Sequence, residues 1–168
     1  MKISHVFKML LLLPLTIVCL SSCSDDDDGP SMENSMKMNG NAFQVTTVSL
    51  IGVSMDDEGH AGITFTYTDG SITKALTVDF EYSPTAAVSG NYSYPLVNNE
   101  RLIDEWLTSY TEFNGSNETT STNLEEGTLT LKDNGGSNYT ITIELTMIDG
   151  KVFKGTYTGP VVAAFNNG

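Results

Sequence analysis

Beyond its first 22 residues this 168-residue chain has one histidine, His60, in the run Asp56-Asp57-Glu58-Gly59-His60. Carboxylates beside an imidazole are donor types for a divalent cation. The run lacks the spaced Asp-x-Asp-x-Asp-Gly pattern of a calcium loop. A weak cation site at Asp56, Asp57, Glu58 and His60 therefore stands behind the plainer reading, a solvated loop histidine. A Ser-His-Asp triad would also have to use His60. Asp79 and Glu81 alternate with Val78, Phe80 and Tyr82, so they share one face of a strand. Two carboxylates on a face could serve glycoside hydrolysis, although an ordinary wet face explains them as well. Asp104-Glu105 precedes Trp106, and an aromatic beside carboxylates is a common grip on sugars. The ordinary reading of the sole tryptophan is a core residue. If the chain binds carbohydrate, the expected contacts are Trp106, Tyr110, Tyr94 and Tyr92, aromatics in its least regular segment. Gly-rich phosphate loops, a nucleophile elbow and zinc spacings are absent. No catalytic residue and no cofactor are assigned.

The elements that would position these residues are strands. Thr, Val, Ile, Tyr and Phe recur with turn residues every ten or so positions. Tyr139, Ile141, Ile143, Leu145 and Met147 alternate with Thr140, Thr142, Glu144 and Thr146, giving one apolar and one wet face. Asp149-Gly150 suits a type I′ hairpin turn, and Phe153 and Tyr157 share a face of the returning strand. Asn39-Gly40 is a second hairpin signal. Residues 43–54 read as one long strand whose inward parity shifts, which a bulge near Thr46-Thr47 would explain. Met55–Gly59 reads as a loop. Ile63, Phe65 and Tyr67 then face inward, Asp69-Gly70 turns, and Leu76, Val78, Phe80 and Tyr82 return. Residues 89–95 suggest a short strand, 98–104 a turn or short helix, and 106–113 another strand. Asn114–Asn123 has no apolar residue and is expected as a mobile loop. The expected fold is all-β, an antiparallel sandwich of about eight or nine strands, with a closed lipocalin-like barrel as the alternative. The excursion over 83–126 resembles a crossover, which favours the sandwich.

The N-terminus carries an address. Lys2 and Lys8 precede a mostly apolar stretch from Val6 to Leu20. It is too short, and too soon followed by polar residues, for a stable span of about 20 residues. The pattern is secretory. Leu20-Ser21-Ser22-Cys23 resembles the bacterial lipobox, which implies lipid on Cys23 after removal of residues 1–22. Ser24-Asp25-Asp26-Asp27-Asp28 beside it resembles the acidic export signal of Bacteroidetes lipoproteins, which implies the outer face of the outer membrane. The hairpins near the C-terminus, Glu126–Leu131, Tyr139–Ile143, Asp149-Gly150-Lys151 and Gly155–Gly159, are similar to those of uncharacterised lipoproteins of that group. The expected organisation is a signal peptide over 1–22, a flexible acidic tether over 23–35 and a β domain over 36–168.

Without residues 1–22 the chain holds six basic and 21 acidic residues, a formal charge of −15. Arg101 and five scattered lysines make no basic patch, so nucleic acid is a poor partner. Cys23 is the only cysteine left. The domain therefore has no disulfide and no thiol chemistry. The expected function is a non-enzymatic surface lipoprotein binding a glycan or an envelope protein. The alternatives are a lipocalin-like carrier of a small apolar ligand and a hydrolase using Asp104 and Glu105.

Overall fold

The computed structural model describes residues 33–55, 58–97 and 100–167. Among them the regular structure is all strand: β1 (Glu33–Asn34), β2 (Lys37–Met38), β3 (Asn41–Ala42), β4 (Thr47–Met55), β5 (Glu58–Asp69), β6 (Ile72–Tyr82), β7 (Gly90–Tyr94), β8 (Arg101–Leu102), β9 (Ser109–Asn114), β10 (Asn117–Gly135), β11 (Asn138–Met147), β12 (Val152–Pro160) and β13 (Val162–Asn167). Cys23 and the Asp25–Asp28 run lie outside the described residues, as do Asp56 and Asp57. The β domain reaches back to Glu33, which pairs with Thr158 of β12, inside the stretch expected to be tether.

The strands follow the order β13-β4-β5-β6-β9-β10-β11-β12-β2-β3. The sheet is large and mixed, is not closed into a barrel, and folds over as a sandwich. The closed-barrel alternative is not realised, and an enclosed lipocalin-like carrier loses its architectural basis. One layer is built on β13, β4, β5, β6, β9 and the first part of β10. The other holds the rest of β10 with β7, β11, β12 and the short β1–β3. β10 therefore passes between layers, with a register break between Leu124 and Glu126. At the opposite side β12 runs through Val161 into β13, which pairs in parallel with β4. There the layers are joined by the chain, not by a ladder. Among the described residues the strands number 13, more than the eight or nine expected, and the parallel pairs β13–β4 and β7–β8 depart from a purely antiparallel sheet.

The alternating patterns point as expected. Ile63 and Phe65, Leu76, Val78 and Phe80, and Ile141, Ile143 and Leu145 are all buried. Aromatic rings fill the space between them: Phe153 lies 5.7 Å from Phe43 and 5.0 Å from Tyr110, and Phe65 lies 6.5 Å from Tyr157. Asn39 and Gly40 take positive φ of 51° and 80°, as a type I′ turn requires.

Several expectations are corrected. The parity shift in 43–54 is not a bulge. β3 belongs to one layer and β4 to the other, and residues 43–46 cross between them. The Asp149-Gly150 turn is not type I′, since only Gly150 has positive φ. Met147 accepts from the Gly150 N–H and donates to the Lys151 carbonyl, as in a turn ending in a glycine bulge. Residues 100–104 form no helix: Arg101–Leu102 is a short strand and Ile103 bridges to Phe80. Asn98 and Asn99 lie outside the described residues. Most of Asn114–Asn123 is strand, pairing with β9 from Asn117 onward. A Thr-rich stretch needs no apolar face when a neighbouring strand satisfies its backbone.

Candidate functional site

Two adjacent strands and one turn converge on the outer face of the β5–β6 layer. β5 and β6 are joined by a tight turn at Gly70-Ser71 and pair from Asp69↔Ile72 back to Gly59↔Tyr82. Odd-numbered residues of β5 and even-numbered residues of β6 point inward. His60 faces out opposite Glu81, with Asp79 diagonal to it. His60 is thus a strand residue, not a loop residue.

The backbone around Asp79 is unusual. β9 pairs with β6 only as far as Thr77↔Ser109. Beyond that point residues 103–108 take over the edge. The Asp104 N–H donates to the Asp79 carbonyl at 2.9 Å, and the Asp79 N–H donates to the Thr108 hydroxyl at 3.0 Å. Thr108 is buried. This lacing brings Asp104 to Asp79 across 25 positions of sequence. One ligand atom from each of His60, Asp79 and Asp104 lies within 4.8 Å of the others.

His60 Nδ1 lies 3.0 Å from Asp79 Oδ1, with the imidazole 47% exposed and the carboxylate 15% exposed. The hydrogen bond to Asp79 raises the His60 pKa above its ordinary value, against the opposing effect of burial. The negative charges of Asp79, Glu81 and Asp104 add to the rise. Asp79 is itself shifted upward, because burial outweighs the hydrogen bond from His60. The cluster is rich in negative charge, with one imidazole as its cationic partner.

Asp104 has a second role. Its Oδ1 accepts from the Trp106 and Leu107 N–H groups at 2.8 and 2.9 Å, an Asx turn that holds residues 105–107. The Asn123 amide donates to the Trp106 carbonyl at 3.1 Å, and the Asn123 carbonyl accepts from Ile148. The turn is fixed at both ends while the Trp106 side chain stands out, 77% exposed. The tryptophan is therefore not a core residue. Leu107 and Ile148 are also exposed.

Two of the other three aromatics are core residues. Tyr92 and Tyr110 are fully buried. Tyr92 packs 4.3 Å from Phe80 and donates to the Val88 carbonyl, while Tyr110 packs on Phe153 and donates to Glu112 at 2.5 Å. Both are core residues whose hydroxyls are already partnered, so neither can stack on a surface ligand. Tyr94 is half-buried against the core. Of the four aromatics expected from sequence, Trp106 is exposed, Tyr94 is half-buried, and Tyr92 and Tyr110 belong to the core.

A cleft of about 510 Å³ opens beside the cluster, at the rim where β5 begins and β6 ends. His60 and Glu81 line it together with Glu58, Tyr82, Leu96 and Arg101. Arg101 is committed to the Ala87 carbonyl at 2.9 Å and the Tyr92 hydroxyl at 3.0 Å. Of the four residues expected to hold a cation, His60 and Glu58 share the outer face of β5, and Asp56 and Asp57 lie outside the described residues. Asp79 and Asp104, singled out in the sequence for other chemistry, are the acids that meet the histidine. No protein-family model matches this chain, and no curated protein or solved structure does either.

Proposed function

We propose that the chain is a non-enzymatic, lipid-anchored module of the bacterial outer surface that binds a glycan through Trp106. One observation carries this reading. The sole tryptophan is exposed on a turn immobilised by Asp104 and Asn123. A large apolar ring carried into water on a turn with a fixed backbone lies where a sugar face can stack, and a turn already ordered loses little further backbone entropy on binding. Asp104 and Glu105 beside it offer acceptors for sugar hydroxyls. Cys23 would supply the lipid, and the acidic run after it the route to the outer membrane's extracellular side.

A second reading, a protein partner from the cell envelope, is favoured by one feature. Leu107, next to Trp106 in the chain, and Ile148, whose N–H bonds to the same Asn123 that holds the Trp106 carbonyl, are exposed as well, and exposed apolar side chains suit a protein interface better than a polar sugar.

Affinity electrophoresis through gels containing soluble bacterial, plant and host polysaccharides tests the proposal. Retardation of the wild type that disappears in Trp106→Ala supports it. Retardation that survives in Trp106→Ala moves the site elsewhere. Uniform mobility across the panel rejects the glycan reading.

A further inference from the structure

We propose that His60, Asp79 and Asp104 form a binding site for a borderline divalent metal ion of the Zn²⁺ class. Their donor atoms come from β5, β6 and the 103–108 segment and lie within 4.8 Å of one another. That spacing lets one ion reach all three with small side-chain adjustments. One imidazole nitrogen with two carboxylate oxygens is a donor set for Zn²⁺ and its first-row neighbours. Ca²⁺ and Mg²⁺ favour all-oxygen shells.

A plain histidine–aspartate pair does not account for the arrangement. Such a pair would be complete with His60 and Asp79 alone. Here the chain also brings Asp104 against the partly buried Asp79 carboxylate, a like-charge approach that a cation would offset. The site is supported from outside its ligands. Thr108 fixes the Asp79 backbone, and the Trp106 and Leu107 amides fix Asp104 Oδ1. Outer hydrogen bonds of this kind orient metal ligands. Glu81, opposite His60, adds charge at the same face.

The same carboxylate would thus hold the ion and cap the turn carrying Trp106. As the only tryptophan in the chain, Trp106 reports on its own turn. The site stands whether or not Trp106 binds a glycan, because the assay needs none.

The test is a titration of the whole chain in detergent with Zn²⁺, followed by calorimetry and Trp106 fluorescence, and with Co²⁺, followed by its visible absorption. Expected are a single saturable event, a fluorescence change and a Co²⁺ spectrum with nitrogen ligation. His60→Gln and Asp79→Asn should each weaken binding at least tenfold. Asp104→Asn, whose amide oxygen can still cap the turn, should weaken it similarly while the fold survives. Glu144→Gln, at an exposed ion pair with Lys154, should bind like the wild type. Binding that persists undiminished in His60→Gln and Asp79→Asn would place the ion elsewhere, for example on the Asp25–Asp28 run, and overturn the proposal. Absence of binding would overturn it as well, as would Ca²⁺ displacing Zn²⁺ at equal concentration.

Discussion

Gly155 of β12 is the position where one methyl group should do the most damage. Its φ is +146°, a backbone conformation that side chains rarely adopt. A Cβ there would lie 2.5 Å from the Ser35 carbonyl oxygen and 2.8 Å from Met36 Cα. Both are main-chain atoms, so no side chain can swing aside. The segment 33–38 must lift off β12. Met36, 2% exposed, would lose its burial, worth about 1.5–3 kcal/mol. The Ser35 N–H bond to the Thr156 carbonyl at 2.9 Å and the Thr156 N–H bond to the Ser35 hydroxyl at 3.0 Å would break, each contributing about 1 kcal/mol net. Gly155→Ala should therefore destabilise the domain by about 3–5 kcal/mol.

Local detachment would limit the loss, and it has its own signature, because residues 33–38 would become open to protease before the rest of the domain. Urea unfolding and limited proteolysis read the two effects. Gly62→Ala on β5 is the control: its nearest neighbours would be at 3.6 and 3.7 Å, ordinary contact distances, and its loss should stay within about 1 kcal/mol. A Gly155→Ala variant as stable as Gly62→Ala, with residues 33–38 still protected, would mean that the close approach of Ser35 and Met36 does not constrain this position. The position matters beyond stability, since this segment is where the chain from Cys23 enters the domain.

Four further outcomes are expected. Trp106→Ala should leave the urea midpoint within about 0.5 kcal/mol of wild type, because an exposed ring adds little to the fold; a larger loss would mean that the indole packs on its surroundings. Phe153→Ala, which empties the space against Phe43 and Tyr110, should cost about 3–5 kcal/mol in the same assay. Burial raises the pKa of Tyr92 and Tyr110 above the ordinary 10.0, so the folded state keeps protons that the unfolded chain releases. Their contribution is intact below about pH 10 and lost as pH rises further, by up to about 1.4 kcal/mol per pH unit for each tyrosine; phenolate absorbance that appears near pH 10 without unfolding and is lost in Tyr92→Phe or Tyr110→Phe would contradict it. Cys23→Ser should move the protein from the detergent-rich to the aqueous phase on phase partitioning, and unchanged partitioning would exclude Cys23 as the lipid carrier.

Much of the fold is legible because apolar alternation is local. Tyr139 to Met147 names its inward face, and Asn39-Gly40 names its turn. Residues 117–123 are not legible by that route. Asn, Glu, Ser and Thr offer no apolar face, and the segment becomes strand because β9 pairs with it along one edge. β13 is hidden for a different reason. Its partner β4 lies more than a hundred positions away and runs parallel to it, so no neighbouring turn signals the pairing. The parity shift at 43–48 is visible in the sequence, but a bulge and a crossing between layers leave the same trace there.

The candidate site divides along the same line. Once Gly70-Ser71 is taken as a two-residue turn, counting outward fixes the register of β5 on β6. His60 lies ten positions before Gly70 and Glu81 ten after Ser71, so they must be opposite each other, with Asp79 on the same face. That much of the cluster can be read from the sequence with a ruler. Asp104 cannot. It reaches Asp79 only because β9 stops pairing at Thr77 and a turn with its own side-chain caps finishes the edge. Sequence reasoning grouped His60 with its chain neighbours and Asp104 with Trp106. The fold keeps the second association and adds Asp79 and Asp104 to His60, which makes Asp104 the residue linking the acidic cluster to the exposed tryptophan. If the two are coupled, Asp104→Ala, which removes ligand and cap together, should disturb Trp106 fluorescence without metal, whereas Asp104→Asn should not. Identical spectra for both variants would separate the turn from the cluster.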